Sequence, residues 1–293
     1  MATTTKKQKE KPKQANAKPE KLSFRFLSQQ RIWSRLVVII GVIVYIWYTS
    51  KDGKETALGK QKEVLQQRGQ SFACDSNYLK EIKQFSGCEP KKCGRYISDK
   101  IVTANEADTL LKIAKRGIAL GGSDGGASIL DLHSGALSLG EKFINIYSLD
   151  ESKKIFSSAD LVAYKVIKAK IQHSIAETFQ VSADKLYLTH PTFFSRLTNL
   201  DAKTIHDEYW HVHVDKDVYE SFHYTSLLYL SDYGREFEGG RLVFLESPKN
   251  NVTLEPRKGR VAIFTSGSEN THFVERVISG TRYAITISFT CDK

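Results

Sequence analysis

Trp210-His211-Val212-His213-Val214-Asp215-Lys216 is the stretch from which the rest of the chain can be read. Its alternation predicts an extended segment, and on a strand residues i and i+2 face the same way, so His213 and Asp215 can reach one metal ion. A lone His-x-Asp is common by chance. It gains weight from His272, 57 residues after Asp215, which begins another predicted strand and can supply a second imidazole. Two histidines and one carboxylate make the facial triad of non-haem iron(II) sites, with coordination positions left open. Ten residues beyond His272 comes Arg282, at the start of the next inner strand, where a guanidinium can grip a carboxylate through paired hydrogen bonds. His211 precedes His213 by two and shares its face. It offers an alternative ligand set of His211, His213 and Asp215, or else it lines the pocket behind the metal or orients a ligand from behind.

Outward from that stretch, short strands recur from residue 186 to residue 290. Leu186 to Leu197, Trp210 to Asp215, Tyr224 to Leu230, Leu242 to Leu245, Val261 to Thr265, His272 to Val277 and Tyr283 to Thr290 each read as one. Upstream, Tyr96 to Val102 reads as a strand, and Thr103 with Glu106 forms a capping box for a helix through Leu110, Leu111, Ile113 and Ala114. A second amphipathic helix runs from Ser158 to Phe179 with Leu161, Tyr164, Ile167, Ile171 and Ile175 on its buried side. Helices followed by a run of antiparallel strands predict an α+β domain whose β part is a sandwich or barrel. The glycine-rich loop 120–126 has no Gly-Lys-Ser/Thr after it and is not a phosphate loop. Ser266-Gly267-Ser268 lacks the Gly-x-Ser-x-Gly context of a serine hydrolase.

Taken in order, these motifs resemble the prolyl 4-hydroxylase-like 2-oxoglutarate oxygenases. His213-Val214-Asp215 matches their His-x-Asp, Tyr224–Ser231 their apolar strand with an inner tyrosine, and Glu238-Gly239-Gly240-Arg241-Leu242-Val243-Phe244 their Glu-Gly-Gly turn. Lys258–Phe264, with Gly259, Ala262 and Phe264, matches the strand before the distal histidine, and His272 and Arg282 match that histidine and the cosubstrate anchor. The resemblance implies a double-stranded β-helix (jelly-roll) core at 186–290, within a catalytic domain at 86–293 whose helices form an N-terminal supporting layer. It implies iron(II) on His213, Asp215 and His272. 2-Oxoglutarate would chelate that iron, with its distal carboxylate on Arg282 and, unless Tyr229 is plain core packing, on Tyr229 as well. Dioxygen would be the second cosubstrate, succinate and carbon dioxide the co-products, and ascorbate a supporting reductant. Hydroxylation of a protein prolyl or lysyl residue follows by analogy of fold. In Thr192-Phe193-Phe194-Ser195-Arg196, phenylalanines stand where many members carry a cosubstrate-binding tyrosine. That departure puts more of the binding on Arg282 and Tyr229. The alternative is a membrane-bound binding or scaffold protein that keeps the fold without turnover.

The net charge of +10 is mostly local, since residues 1–35 hold ten Lys/Arg against Glu10 and Glu20, which is +8. The folded part is therefore close to neutral, which gives no support for nucleic-acid binding, and the tail lacks aromatics that would stack bases. An apolar run of 17 residues follows from Ile32 to Tyr48. With basic residues before it and no small-x-small cleavage site, it predicts a single transmembrane signal anchor at 32–49 rather than a cleaved leader or a core helix. The expected order is a basic cytosolic tail at 1–31, the anchor, a stalk at 50–85 with a short solvated helix at 55–67, and a lumenal domain. This describes a single-pass type II membrane protein of the secretory pathway, most simply of the endoplasmic reticulum. Cys74, Cys88, Cys93 and Cys291 suit two disulfides in an oxidising compartment, with three connectivities open. Asn251-Val252-Thr253 is a glycosylation sequon expected in a loop. Oligomeric state is not written in these residues.

Overall fold

The structure is a computed structural model that describes residues 22–49, 54–150, 155–247 and 249–293. It divides into two units, Met1–Asp52 and Gly53–Lys293. The first contains a single described helix, α1 (Leu22–Thr49). The basic tail as far as residue 21 lies outside the described residues. The transmembrane span expected at 32–49 is not supported, because no helix among the described residues is long and apolar enough to cross a membrane. Side chains are described only for 32–46, which gives roughly 23 Å of rise at about 1.5 Å per residue.

The second unit begins with β1 (Lys54–Gly59), β2 (Arg68–Phe72), α2 (Ser76–Ile82), β3 (Cys93–Ser98) and α3 (Ala104–Ile118). A hairpin layer of β4 (Ala127–Asp131), β5 (Ala136–Leu139) and β6 (Lys142–Asn145) precedes α4 (Ser158–Phe179). Then come β7 (Tyr187–Leu188), β8 (Phe193–Thr198), α5 (Asp215–Val218), β9 (Tyr224–Tyr229), β10 (Phe237–Gly239) and β11 (Leu242–Ser247). β12 (Asn250–Leu254), β13 (Val261–Thr265), β14 (His272–Val274) and β15 (Val277–Thr290) complete the chain. The expected strand 186–197 is split because Pro191 has no N–H to give to a ladder.

The larger sheet has the order β2-β3-β13-β9-β15-β8-β4-β5-β6, and the smaller one the order β1-β12-β11-β14. His213 pairs with His272 in an isolated bridge and so extends the smaller sheet. From residue 193 onward the chain alternates between the two sheets, except that β9 and β10 fall in the larger one and β11 and β12 in the smaller. That is the progression of the expected jelly roll, in a mixed helix and strand domain. The pleat sorts its side chains by parity. Leu228, Val261, Ile263, Ile285, Ile287 and Phe289 pack with α3 and α4 on the outer face. Leu227, Tyr229, Ala262, Phe264 and Ala284 point inward against Leu242, Phe244, Val252 and Leu254 of the smaller sheet. Each such fully buried side chain contributes roughly 1.5–3 kcal/mol over leaving it exposed.

The expected capping box at Thr103/Glu106 is formed, and Ser157 with Asp160 makes another at the start of α4. On α4 the buried side includes Tyr164, Ile167, Ile171 and Ile175, but Leu161, expected there, is exposed in the first turn.

The stalk expected at 50–85 is replaced by structure from residue 54 onward. β1 runs parallel to β12 and β2 antiparallel to β3, with Leu58 and Leu65 buried. The recruiting group is Arg260, fully buried, which pairs with Asp99 at 2.8 Å and donates to the carbonyls of Lys60 at 3.1 Å and Glu63 at 2.9 Å. A polar composition that reads as solvated is here consumed by a buried cation. The disulfides are Cys74–Cys93 and Cys88–Cys291. The sequon is likewise displaced from its expected loop. Asn251 lies on β12 between β1 and β11, partly buried, and the Thr253 hydroxyl is buried and donates to Glu55 at 3.1 Å. Asn251 thus lies on a strand and not in the expected loop, and its glycosylation has no support among the described residues.

Candidate active site

The stretch read first is not a strand. Trp210–Val214 is irregular apart from the His213 bridge, and Asp215 opens the short helix α5. The tertiary structure nevertheless brings the predicted ligands together. His213, Asp215 and His272 each offer one ligand atom, all within 4.8 Å of one another. Asp215 Oδ1 lies 3.5 Å from His213 Nε2 and 3.7 Å from His272 Nε2. Two backbone hydrogen bonds of 2.9 Å, exchanged between residues 213 and 272, hold the imidazoles side by side.

Each imidazole is oriented through its other nitrogen. His213 Nδ1 donates to the carbonyl of His211 at 2.9 Å, and His272 Nδ1 to that of Asn270 at 2.8 Å. A carbonyl only accepts, so the proton sits on Nδ1 and the Nε2 lone pair is left for a metal. The Thr225 hydroxyl donates to Asp215 Oδ2 at 2.6 Å, which leaves Oδ1 for the ion. Burial alone would raise the Asp215 carboxyl, but His272, His213 and Thr225 hold it below its ordinary value. Burial lowers His272, whereas at His213 the Asp215 carboxylate and the His211 carbonyl outweigh burial and raise it. The arrangement therefore keeps the anionic and neutral forms that metal ligands require at Asp215 and His272.

The triad sits in a pocket of about 350 Å³ between the sheets, with Phe193, Leu197, Leu227, Leu242 and Val274 among its walls. Arg282 is at its base. The side chain is 1% exposed, its Nε donates to the Gly240 carbonyl at 2.9 Å, and its Nη2 has no partner. No carboxylate pairs with it among the described residues. Tyr229, also fully buried, lies beneath the guanidinium with ring centroid 5.3 Å away, and its hydroxyl is equally without a partner. Burial pushes that hydroxyl up to about 12, against the lowering effect of Arg282 and Arg260. A buried guanidinium lining an apolar pocket with Nη2 unmet, beside a buried hydroxyl also unmet, fits a carboxylate, since leaving such groups unpaired costs several kcal/mol. The Glu-Gly-Gly turn serves this arrangement. Gly240 has φ +63, and a Cβ there would meet Arg282 Cδ at 2.9 Å.

His211 lines the pocket, as one sequence reading expected, but lies outside the ligand cluster. It is exposed and pairs with Glu208 at 2.6 Å, so it is no ligand, and its part in orienting His213 is played by its carbonyl. Thr225 and Asn270 escaped the sequence reading. Parity could have found Thr225, since it shares the inner face of β9 with Leu227 and Tyr229. Asn270 acts through its backbone and carries no such signal.

A model of the 2OG-Fe(II) oxygenase superfamily matches residues 201–290. The chain is 51% identical over 267 residues to 2-oxoglutarate and iron-dependent oxygenase domain-containing protein 3 of Xenopus tropicalis, covering 89% of this chain and 84% of that one. The Homo sapiens protein of that name is 49% identical over 271 residues, covering 90% of this chain and 84% of that one. Human prolyl 3-hydroxylase 2 is 42% identical over 71 residues, or 24% of this chain and 10% of that one. Among solved structures, a Trichoplax adhaerens prolyl hydroxylase in complex with a hypoxia inducible factor peptide fragment overlaps with TM-score 0.46 at 15% identity. It covers 74% of this chain and 89% of that chain.

Proposed function

The chain belongs to the 2-oxoglutarate- and iron-dependent oxygenases, and on that premise we propose that it hydroxylates a prolyl or lysyl residue of a protein passing through the secretory pathway. It is a 2-oxoglutarate-dependent dioxygenase whose family uses iron(II), 2-oxoglutarate and dioxygen, typically with ascorbate. The single observation that carries the site assignment is the buried Arg282, which lines the same pocket as the His213–Asp215–His272 cluster and has Nη2 without a partner, with the Tyr229 ring against its guanidinium.

His213 Nε2, Asp215 Oδ1 and His272 Nε2 would hold the iron, and Arg282 with Tyr229 would take the distal carboxylate of 2-oxoglutarate. Iron, 2-oxoglutarate and dioxygen together supply the oxidation, and the protein supplies position and exclusion of water. Thr225 holds Asp215 with one oxygen facing inward, and the carbonyls of His211 and Asn270 hold the imidazoles. The apolar walls keep bulk water from the reacting centre. The 71-residue similarity to a prolyl 3-hydroxylase supports a protein substrate. Two disulfides favour an oxidising compartment. The basic leader and the apolar run after Ile32 favour a membrane anchor with its N-terminus cytosolic.

The test uses the purified full chain with iron(II), 2-oxoglutarate and ascorbate, following succinate. Turnover that is lost in both His213→Ala and Arg282→Ala establishes the site. Failure of the wild type to bind 2-oxoglutarate with metal present would turn the reading to a non-catalytic scaffold. Peptides from secretory proteins, screened for gain of one oxygen by mass spectrometry, test the substrate class.

A further inference from the structure

The loop that leads into His272 is tied to both sides of one disulfide. His272 Nδ1 donates to the Asn270 carbonyl at 2.8 Å, so the direction of this imidazole follows the placement of residue 270. Asn270 is 1% exposed. Its Nδ2 donates to the carbonyls of Thr265 at 2.8 Å and Gly94 at 3.1 Å and reaches Thr265 Oγ1 at 3.1 Å. The Gly94 N–H donates to the same Thr265 hydroxyl at 3.3 Å. One residue earlier, the Glu269 carboxylate accepts from the Asp75 N–H at 3.2 Å and from the Thr265 hydroxyl.

Asp75 and Gly94 are the residues that immediately follow Cys74 and Cys93, and those two cysteines form a disulfide. One covalent bridge thus fixes both backbone groups against which residues 269 and 270 are braced. From His272 the constraint passes to the other imidazole, through the paired backbone hydrogen bonds of 2.9 Å between residues 272 and 213.

We propose that Asn270 is a positioning residue for the metal centre and that the Cys74–Cys93 disulfide is the anchor it works from. The metal affinity of the site then depends on a bridge that touches none of the ligands. This rests on the assignment of His213, Asp215 and His272 as metal ligands. Loss of the bridge leaves the sheet in place, because β2 and β3 still pair at Phe72↔Cys93. The loop before His272 loses its brace, and the fold does not.

The test is titration of the full chain with Mn(II), read as loss of the free-ion electron paramagnetic resonance signal. Wild type is compared with Asn270→Ala, with the Cys74→Ser/Cys93→Ser pair, and with the three substitutions combined. Outer partners of metal ligands set affinity by roughly 10–100-fold, so each variant is expected to weaken Mn(II) binding by about tenfold or more. The combined variant is expected to lose less than the product of the two, because both act through one loop. 2-Oxoglutarate affinity at saturating Mn(II), measured by calorimetry, is expected to stay at the wild-type value, since Arg282 and Tyr229 are untouched. Should Asn270→Ala fail to fold, Asn270→Ser keeps one donor and is expected to show a smaller loss. Unchanged Mn(II) affinity in the cysteine pair overturns the proposal, and so does an equal loss of 2-oxoglutarate binding at saturating metal. A wild type that takes up no Mn(II) defeats the ligand assignment itself, which is a separate result.

Discussion

The metal-ligand cluster and the Arg282–Tyr229 pair differ in burial, His213 being partly exposed and the pair fully buried, and in what they have been given to bond. At the metal end every ligand is already oriented: two imidazoles by backbone carbonyls and one carboxylate by the Thr225 hydroxyl. At the other end Arg282 and Tyr229 are held in place while Nη2 and Oη have nothing to bond. The first end has its imidazoles and carboxylate oriented by the protein's own groups, and it carries one carboxylate between two imidazoles. The second is a buried cation whose Nη2 no protein group meets, which an anion completes. Preorganisation at one end and incompleteness at the other suit a resident ion and an exchanging cosubstrate.

Four substitutions break or sharpen that contrast. Asp215→Ala removes the only anion of the triad and is expected to abolish succinate formation. Its loss of Mn(II) affinity should exceed the roughly 100-fold upper end seen for outer partners. Arg282→Ala should leave Mn(II) binding intact and weaken 2-oxoglutarate by about 3 kcal/mol, on the order of a hundredfold, when titrated by calorimetry at saturating metal. If it weakens metal binding as much, the two ends are one coupled network and the contrast fails. Thr225→Val keeps shape and removes the hydroxyl on Asp215, so Mn(II) affinity should fall roughly tenfold with 2-oxoglutarate affinity unchanged. Tyr229→Phe should be mildest, costing about 1 kcal/mol, or roughly fivefold in the KM for 2-oxoglutarate. Thermal melting of metal-free Tyr229→Phe should show no loss of stability, because the hydroxyl removed has no partner in the empty pocket. A clear drop in its melting temperature would assign Tyr229 to packing.

The site was legible because its chemistry sits in side chains of distinctive type, spaced along strands whose parity decides direction. His213, Asp215, His272 and Arg282 could be picked from their order alone, although the reason first given for His213 and Asp215, a shared strand face, was not the geometry found. Tyr229 followed from the apolar run that carries it. The groups that orient these residues were far less visible. Two are backbone carbonyls, whose positions depend on loops and not on residue type. Residues 54–72 were misread for a related cause. Their polarity is matched by Arg260, about 200 residues away, and nothing local shows that a buried cation is waiting for the carbonyls of Lys60 and Glu63.

Local pattern by itself determined the α+β character, the capped helices at 104–118 and 158–179, and the identity and order of the candidate ligands. Those properties depend on side-chain period and residue chemistry, which neighbours in the chain already contain. Only the tertiary structure decided which cysteines pair, that the sequon lies on an interior strand, that residues 54–72 join the sheets, and that His211 serves through its carbonyl. Each of these depends on what comes close in space from far along the chain, and burial makes such contacts costly to leave unpaired. The final bonding of the site therefore belongs to the packed molecule.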